Sequence, residues 1–299
     1  MHVLITGGTG LIGRALCERL TVEKHRVSVL SRTPDRVQSL CGSSVSGVAE
    51  LHELDHTHVD AVINLAGAPI ANRLWTAKRK AELWASRVSL TEQLVDWMGR
   101  LASKPSVLIS GSAVGWYGDG ADNILTEADS ARPGYTNTLC DAWESAAKRA
   151  ASYGIRVCLV RTGLVVAPGA GFLQRMILPF KFGLGGPIGP GSQYMPWVHI
   201  DDEVGIIMHL LNHPQCKGPF NATAPNPVTN REFARSLGKA LNRPAVIPVP
   251  GLILRAGLGE MAGLLLTGQR AMPAQALASG YRFHFEHLDV ALEDVLGNH

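Results

Sequence analysis

The sequence is poor in the features of secreted, metal-binding and membrane proteins. Its five cysteines include no CxxC pair, which argues against a disulfide framework and a zinc site, and its eleven histidines include no HExxH motif. No apolar run approaches the roughly 20 residues that span a bilayer. The N-terminal apolar run lacks the basic leader of a signal peptide. We therefore predict a cytoplasmic protein with free thiols, no bound metal and no membrane partner.

Charged residues are also few. Asp, Glu, Lys and Arg make up 18% of the chain, and the net charge of +3 is spread without a basic block, so we do not expect nucleic-acid binding. The hydrophobic content is 46% over 299 residues, which is enough for a large ordered core. These numbers describe an ordered, soluble globular protein.

The most informative segment lies at the start of the chain, where an apolar run, Val3 to Thr6, leads into a glycine-rich turn and a helical pattern. In such a turn Gly7 permits the tight bend, Gly10 lets the main chain approach a phosphate, and Gly13 lets the helix pack close to the strand. The first amides of the helix face the anion. A glycine triplet alone is a weak signal, but its position between a strand and a helix favours a dinucleotide pyrophosphate site over an ordinary turn.

Strand and helix patterns alternate through the first half of the chain. This alternation predicts an α/β protein with a Rossmann-type, doubly wound parallel sheet. The predicted strands are 27–30, 45–49, 59–67, 107–111 and 155–160, and the predicted helices are 11–20, 75–99 and 136–151.

The second half has a different character, because glycine and proline are dense between residues 168 and 196. We assign residues 1–165 to a nucleotide-binding domain, whose sheet later segments complete, and residues 166–299 to a smaller C-terminal substrate lobe. The lobe is predicted to contain helices at 202–211 and 229–241, a strand at 244–250, and a last, mostly helical part with a short strand at 281–285.

The end of the second strand indicates which dinucleotide is bound. An NAD site usually has Asp or Glu there, and that carboxylate would repel a 2′-phosphate. This strand ends in Ser31 and Arg32, a hydroxyl and a guanidinium that suit phosphate oxygens. We therefore predict NADP rather than NAD as the cofactor. The alternative is an ordinary surface pair in a turn before Pro34.

Several motifs together resemble a known family, the extended short-chain dehydrogenase/reductases of the NAD-dependent epimerase/dehydratase superfamily. The motifs are TGGTGLIG at 6–13, NLAG at 64–67, SGS at 110–112, WYG at 116–118, WVHIDD at 197–202 and GPFNA at 218–222. The segment 183–189, the helix that carries Trp75, and the tail with Gly268 and Pro273 resemble an atypical branch whose members are called epimerase family proteins. The resemblance runs from residue 1 to about 297 and includes a family-specific C-terminal segment at about 250–297.

The resemblance implies a set of cofactor contacts. The pyrophosphate would lie on Thr9, Gly10, Leu11 and Ile12. Ser31 and Arg32 would contact the 2′-phosphate, while the main chain of Leu65 and Ala66 would contact the adenine and ribose side.

The resemblance implies three further cofactor contacts, and for each of these residues a purely structural role is an alternative. Glu82 and Arg87 would lie near the cofactor, although five residues separate them by roughly 140° around a regular α-helix. Ordinary solvated helix charge would explain both equally well. Arg161 ends a predicted strand and suits a phosphate or ribose contact, but a structural ion pair would also explain it.

The catalytic residues depart from the family pattern. Typical members use Ser, Tyr and Lys, with Tyr and Lys four residues apart so that the ammonium lowers the pKa of the phenol. Ser112 occupies the place of the serine, but none of the five tyrosines has a lysine four residues later. Thr136 and Cys140 stand where Tyr and Lys would be. We therefore expect a non-standard active site, with Ser112 and Tyr117 as the catalytic candidates.

His199 is a further candidate acid just before a predicted helix. The favoured alternative is a structural histidine that bonds to the main chain while Asp201 and Asp202 cap the helix. The aromatic and glycine-rich segment 172–197 would form either a pocket floor or core beneath long loops.

We predict an NADP(H)-binding, oxidoreductase-like protein that acts on a small carbonyl or alcohol substrate. The alternatives are a catalytically silent NADP sensor or regulator and a nucleotide-sugar epimerase, which the lack of an arginine cluster for a diphosphate weakens. The resemblance also implies a possible homodimer through the helices at 75–99 and 136–151. The apolar faces of these helices could equally belong to the core of one chain.

Overall fold

The structure, a computed structural model, describes residues 1–297. Its strands are β1 (His2–Thr6), β2 (Arg26–Leu30), β3 (Ser46–Val48), β4 (Ala61–Asn64), β5 (Val107–Ala113), β6 (Ile124–Leu125), β7 (Arg156–Thr162), β8 (Leu164–Val166), β9 (Tyr194–Met195), β10 (Trp197–His199), β11 (Gly218–Ala222), β12 (Val228–Thr229) and β13 (Arg270–Ala271). Its helices are α1 (Leu11–Val22), α2 (Val37–Cys41), α3 (Ala77–Trp84), α4 (Leu90–Arg100), α5 (Tyr135–Lys148), α6 (Gly171–Lys181), α7 (Ile200–Asn212), α8 (Asn230–Ala240), α9 (Gly251–Leu258), α10 (Gly263–Leu266), α11 (Ala274–Ala278) and α12 (Leu288–Gly297). A π-helical turn, Ala85–Ser89, joins α3 to α4.

Seven parallel strands form the central sheet in the order β11-β7-β5-β4-β1-β2-β3. Chain order reverses at β1, so the crevice beside the carboxyl end of β1 is the switch point where ligands bind in such sheets. Every residue of β1 is buried, as expected for a strand covered on both faces. The Rossmann-type, doubly wound prediction is confirmed, and β11 from the second half of the chain completes the sheet.

Helices cover both faces of the sheet. One core lies between the sheet and the helices α1 and α7, with Leu16 and Ile207 fully buried. The opposite core lies between the sheet and α4 and α5, with Leu94 and Met98 fully buried. A third core, around Trp197, lies among β10, α6, α8 and α12 in the second half of the chain, where the separate C-terminal lobe stays a prediction.

The helices that the resemblance suggested for a dimer bury their apolar faces within the chain. Leu94 and Val95 of α4 and Ala147 of α5 pack into the core beneath the sheet. On the outer side, Arg149 contacts Asp96 at 2.6 Å. The intramolecular alternative therefore accounts for these apolar faces, and the homodimer stays a prediction.

Two predicted strands of the C-terminal half are wrong. Residues 244–250 are irregular apart from one bridge between Ile188 and Val249, because Pro244, Pro248 and Pro250 have no amide proton for a ladder. Residues 281–285 are also not a strand, since their polar groups bond instead to Asp202, as described below.

Other element boundaries shift by a few residues. The long helical pattern at 75–99 becomes α3, the π-helical turn and α4, and the strand predicted at 59–67 shortens to β4. Within residues 1–297, none of the helices combines the length and apolarity that crossing a membrane requires. Over the same residues, no three His, Cys, Asp or Glu side chains gather as metal ligands.

Candidate functional site

The glycine turn after β1 is shaped by close main-chain contacts. Gly7 has a φ of 73°, and a Cβ there would lie 2.6 Å from the carbonyl carbon of Leu65. A Cβ on Gly13 would collide with the carbonyl oxygen of Gly7. Only glycine fits these two positions, because one needs a left-handed backbone and both need room for neighbouring main chain.

The N-terminus of α1 opens directly onto this turn. Its N-cap is Gly10, which has an extended backbone, and no side chain of the described part of the chain caps the helix. The amide of Gly10 bonds to Gly7 O at 3.0 Å, while Thr9, Leu11 and Ile12 are only half-buried. An uncapped helix start leaves amide donors and a positive dipole end available to an anion.

Two neighbouring strands bring further predicted residues to the same edge. Thr6 pairs in register with Leu30, so Ser31 and the exposed Arg32 leave β2 beside the glycine turn. The Ser31 hydroxyl accepts a bond from Thr33 N at 3.2 Å. The surface turn and the predicted phosphate contact are compatible in this geometry.

Leu65 and Ala66 leave β4 on the other side of the glycine turn. The amide of Leu65 donates to Thr6 O at 3.0 Å, and the amide of Ala66 donates to Thr6 Oγ1 at 3.2 Å. These bonds hold the main chain of both residues against the turn, where the resemblance puts the adenine and ribose side.

Glu82 and Arg87 have separate environments. Glu82 accepts from Arg79 at 2.7 Å, so its carboxylate already has a cationic partner. Arg87 lies beside Gly67 and 5.4 Å from the Trp143 ring, and burial lowers its pKa. Arg87 lies within the π-helical turn that follows α3, so the angle for a regular α-helix does not apply to Glu82 and Arg87.

Arg87 has no carboxylate partner within residues 1–297. Its guanidinium donates weakly, to Leu83 O at 3.5 Å and to Ser86 Oγ at 3.4 Å. A desolvated cation at the carboxyl end of β4 without a counterion favours an anionic ligand nearby.

Ser112 belongs to a buried ionic network at the ends of β5 and β7. Its hydroxyl donates to Glu144 Oε1 at 2.8 Å, and Arg161 donates to both oxygens of the same carboxylate at 2.8 and 3.1 Å. Glu144 is fully buried. Burial alone would lower the pKa of Arg161, but the Glu144 carboxylate outweighs it and raises that pKa.

Arg161 therefore forms the structural ion pair that was one of its two explanations. Its guanidinium also stacks 3.5 Å from the Trp116 ring, a close cation–π contact. One nitrogen, Nη1, is buried without a hydrogen-bond partner in the described chain. Whether Arg161 also contacts a cofactor stays a prediction.

The hydroxyl of Tyr117 points into the core. It lies 2.9 Å from Thr126 O and 2.9 Å from Asn221 Oδ1, and the side chain is almost fully buried. Burial raises the pKa of Tyr117, in opposition to the Arg161 charge. These contacts make proton donation from Tyr117 harder than the sequence suggested.

The other candidate acids have structural settings. Burial raises the pKa of Cys140 to about 12, so this thiol stays protonated and behaves as a small apolar residue. His199 Nδ1 accepts from Asp201 N at 3.2 Å, and burial lowers the pKa of the ring. His199 is structural, as favoured, but the histidine itself and not an aspartate caps α7.

Asp202 has a role that the sequence did not indicate. Its fully buried carboxylate accepts bonds from Tyr281 Oη at 2.9 Å, His284 N at 2.8 Å and Phe285 N at 2.9 Å. It therefore fixes the last irregular segment of the chain to the start of α7.

The segment 172–197 contributes to a core, which is one of its two alternatives, and the pocket floor stays a prediction. Phe180 and Trp197 are buried in the core of the C-terminal lobe, whereas Leu178 and Phe182 are exposed. Arg175 of α6 reaches the loop after β4, where it donates to Ala71 O at 3.1 Å. The sequence did not reveal this contact, which bridges 104 residues, nor the role of Glu144.

Three features of the molecule define its class: the glycine turn before the uncapped N-terminus of α1, the switch point, and the parallel sheet. They are typical of dinucleotide-binding short-chain dehydrogenase/reductase folds. The chain belongs to the NAD dependent epimerase/dehydratase family, whose sequence profile matches residues 3–222. Residues 249–295 match a second profile, a domain of unknown function called DUF1731.

Relatives in several organisms are similar over nearly the whole chain. Epimerase family protein Mb2239 of Mycobacterium bovis is 41% identical over 293 residues, which cover 97% of this chain and 96% of the relative. Epimerase family protein SDR39U1 of Homo sapiens is 37% identical over 303 residues, which cover 99% of this chain and all of the relative. The suspected branch of the family is thereby confirmed.

Solved structures agree with this assignment. The crystal structure of human SDR39U1 (isoform 2) with NADPH has a TM-score of 0.90 and 34% identity, with complete coverage of both chains. A nucleoside-diphosphate sugar epimerase from Corynebacterium glutamicum has a TM-score of 0.79 and 29% identity, and the match covers all of this chain and 58% of that one. UDP-glucuronic acid 4-epimerase from Bacillus cereus, at 17% identity and a TM-score of 0.80 over 100% of this chain and 99% of that one, shares the fold.

Proposed function

We propose that the protein binds NADP(H) and moves hydride between this cofactor and a small carbonyl or alcohol, in a site without the Tyr–Lys pair. The observation that carries the proposal is the uncapped start of α1 beside the glycine turn, whose amides suit a pyrophosphate. The human relative that was crystallised with NADPH supports the choice of cofactor. When bound, the cofactor supplies or accepts the hydride.

The residues that would hold the cofactor border the switch point. In this proposal the glycine turn and the first amides of α1 take the pyrophosphate, and Arg32 with Ser31 takes the 2′-phosphate. The unpaired Arg87 adds a cation at the end of β4. The full proposed set is Gly7, Thr9, Gly10, Leu11, Ile12, Gly13, Ser31, Arg32, Leu65, Ala66, Glu82, Arg87 and Arg161.

Ser112 is the proposed substrate contact. Because its proton is donated to Glu144, its oxygen keeps lone pairs that can accept a bond from a substrate hydroxyl. Glu144 is fixed by Arg161, so Ser112 has a defined orientation. Tyr117 would first have to leave Thr126 and Asn221, and we therefore propose a supporting role for it.

A catalytically silent sensor of NADP(H) is the second candidate function. It is favoured by the burial of Ser112, whose side chain already has a partner, and by the protonated Cys140 at the usual lysine position. A nucleotide-sugar epimerase is the third candidate, and the Corynebacterium relative supports it. The absence of an arginine cluster in the sequence weighs against that third candidate.

The proposal includes a cytoplasmic location and a small-molecule partner, with no nucleic-acid or membrane partner. The five buried free thiols support a reducing compartment.

Two measurements test the proposed function. Calorimetric titration of the purified protein is expected to give saturable binding of NADPH that is tighter than that of NADH, and no binding of either would refute the proposal. Oxidation of NADPH is then measured over a panel of small aldehydes and ketones with wild type and Ser112→Ala. Turnover that disappears in the variant supports the oxidoreductase, whereas NADPH binding without any turnover favours the sensor.

A further inference from the structure

A closed series of contacts links the loop after β4, α3, α6 and α9. Arg175 of α6 bonds to Ala71 and Asn72 in the loop after β4. Lys80 of α3 pairs with Glu260, just after α9, at 2.5 Å. These two contacts tie the nucleotide-binding half to the C-terminal lobe at two separate points.

Main-chain bonds complete the series within the C-terminal lobe. Ile247 N donates to Gly185 O at 3.0 Å, and Val249 N donates to Pro187 O at 2.9 Å. The loop at 69–76, α6, the segments 182–191 and 245–250, and α9 with the turn after it therefore form a ring, which we call the mouth ring. A cavity of about 310 Å³ lies against two parts of the mouth ring, residues 74–76 and 256–260.

The mouth ring adjoins the proposed cofactor site. The first residue of α6, Gly171, lies against the Leu11 side chain at the start of α1. The loop that holds Ala71 follows directly from β4 and Leu65, which contacts Gly7. A molecule that enters through the mouth ring would thus approach the carboxyl edge of the sheet.

Large apolar side chains are exposed around the mouth ring. Helix α9 has no buried residue at all, although half of its eight residues are Leu or Ile. Leu184 and Val246 are next in sequence to the bonded pair Gly185 and Ile247, so exposed apolar residues of two segments are neighbours. Exposed apolar patches mark binding sites. The exposed members, with their exposed fractions, are Leu74 (50%), Leu178 (61%), Phe182 (73%), Leu184 (58%), Val246 (75%), Ile247 (43%), Leu252 (79%) and Ile253 (64%).

The composition of the mouth ring indicates the chemical class of the ligand that it would bind. Residues 145–200 and 233–259 contain no Asp or Glu, so Arg175, Lys181 and Arg255 are the charged residues of α6 and α9. Glu260, in the turn after α9, is paired with Lys80. Aliphatic and aromatic side chains offer few hydrogen bonds to a sugar. Apolar groups of a ligand gain free energy from such surface roughly in proportion to the area that they bury.

We propose that the mouth ring binds the apolar body of the substrate, which makes the substrate an aliphatic carbonyl or alcohol of extended chain length. This inference rests on the proposed function, because it takes the edge beside Ser112 as the place of reaction. The apolar chain lies along α6 and α9, and the oxygen-bearing end points towards Ser112.

A chain-length series tests the proposal by binding, without requiring turnover. Binding of 1-butanol, 1-hexanol, 1-octanol and 1-decanol to the NADP⁺-saturated protein is measured by calorimetry. Each added methylene is expected to tighten binding about three- to fourfold, as for burial in an apolar site. The double variant Leu252→Gln/Ile253→Gln is expected to reduce this gain to below about twofold, and Val246→Gln/Leu184→Gln provides an independent second variant.

Val290→Gln is the matched control, because Val290 is an exposed apolar residue of α12, 53% exposed, outside the mouth ring. It should leave the chain-length dependence unchanged. All substituted side chains are exposed, so folding should be retained, and circular dichroism verifies this.

Three outcomes would overturn the inference. The first is equal affinity for all four alkanols. The second is a chain-length dependence that stays unchanged in both folded double variants. The third is that no alkanol binds and sedimentation shows a dimer that dissociates in the variants. Titration with NADPH is done separately on each protein. Loss of nucleotide binding with a retained chain-length dependence in the cofactor-free protein refutes the proposed function but supports the apolar site.

Discussion

Ser112 and Glu144 are joined by a 2.8 Å hydrogen bond that spans 32 residues of chain, from the end of β5 to the middle of α5. Arg161 on β7 neutralises the same carboxylate. A buried carboxylate that is shared by a hydroxyl and a guanidinium is stable only while all its partners remain. This dependence leads to a prediction about folding.

Substitution of Glu144 should destabilise the protein strongly. Glu144→Ala leaves the Arg161 cation buried without a counterion, so the free energy of unfolding should fall by roughly 3–5 kcal/mol in urea denaturation. Combining it with Arg161→Met should cost clearly less than the two single changes added together. Glu18→Ala, on the exposed side of α1, is the control and should change stability by less than about 0.5 kcal/mol. Additive effects of the two core substitutions would contradict the network.

The buried Glu203 should make stability depend on pH. Burial raises the pKa of Glu203 from 4.5 to about 8, against the one bond from Thr162 Oγ1 at 2.7 Å. Between these pH values the folded protein holds a proton that the unfolded chain releases, so the contribution of Glu203 to stability falls as pH rises and levels off above about 8.

The variant Glu203→Gln has no titratable carboxyl at this position. Its difference from wild type therefore isolates the contribution of Glu203 to the pH dependence of stability. The variant should equal wild type near pH 4 and gain stability progressively above that, by up to about 5 kcal/mol at pH 9. Urea denaturation at several pH values measures the difference between the two proteins. Glu18→Gln serves as an exposed control whose difference from wild type should change little. A Glu203→Gln difference that is constant over the pH range would show that Glu203 does not titrate as described.

Arg32 should distinguish the two nicotinamide dinucleotides. Loss of a charge-assisted contact with the 2′-phosphate in Arg32→Ala should weaken NADPH binding about 10- to 100-fold and leave NADH binding nearly unchanged. Calorimetric titration of both nucleotides measures this. Arg36→Ala, an exposed arginine four residues later, is the matched control. Equal weakening by the two substitutions would mean that the effect is general electrostatics.

Gly13 should be intolerant even of alanine. The added Cβ meets the carbonyl oxygen of Gly7 and the main chain of Gly8, so α1 must shift at a cost of roughly 1–3 kcal/mol. We expect the folded Gly13→Ala protein to bind NADPH at least about tenfold more weakly, because the helix start moves. Gly257→Ala on α9 meets no atom within 4 Å and should be neutral or slightly stabilising. Unchanged NADPH binding in Gly13→Ala would argue against the glycine turn as the cofactor site.

The element order and the glycine turn could be predicted because their causes are local. The left-handed backbone of Gly7 and the apolar run of β1 are properties of adjacent residues, and they survive any tertiary context that buries the strand. The strand predicted at 244–250 failed for an equally local reason, since three prolines in seven residues cannot donate to a ladder.

The candidate site was predictable only in part. Ser31, Arg32, Leu65 and Ala66 could be placed at one edge because the carboxyl ends of parallel strands meet there. The settings of Arg161 and Tyr117 could not be deduced, because the position of an acceptor such as Glu144 or Asn221 depends on which strands and helices pack together.

By itself, the sequence determined the sheet, the turn that faces an anion and the missing Tyr–Lys pair, because each is encoded within a few neighbouring residues. Only the tertiary structure decided that Ser112 gives its proton to a buried ion pair, that α4 and α5 pack into the chain's own core, and that the apolar side chains of Leu252 and Ile253 stay exposed. Those outcomes depend on distances between residues far apart in the chain, and packing of the whole molecule sets such distances.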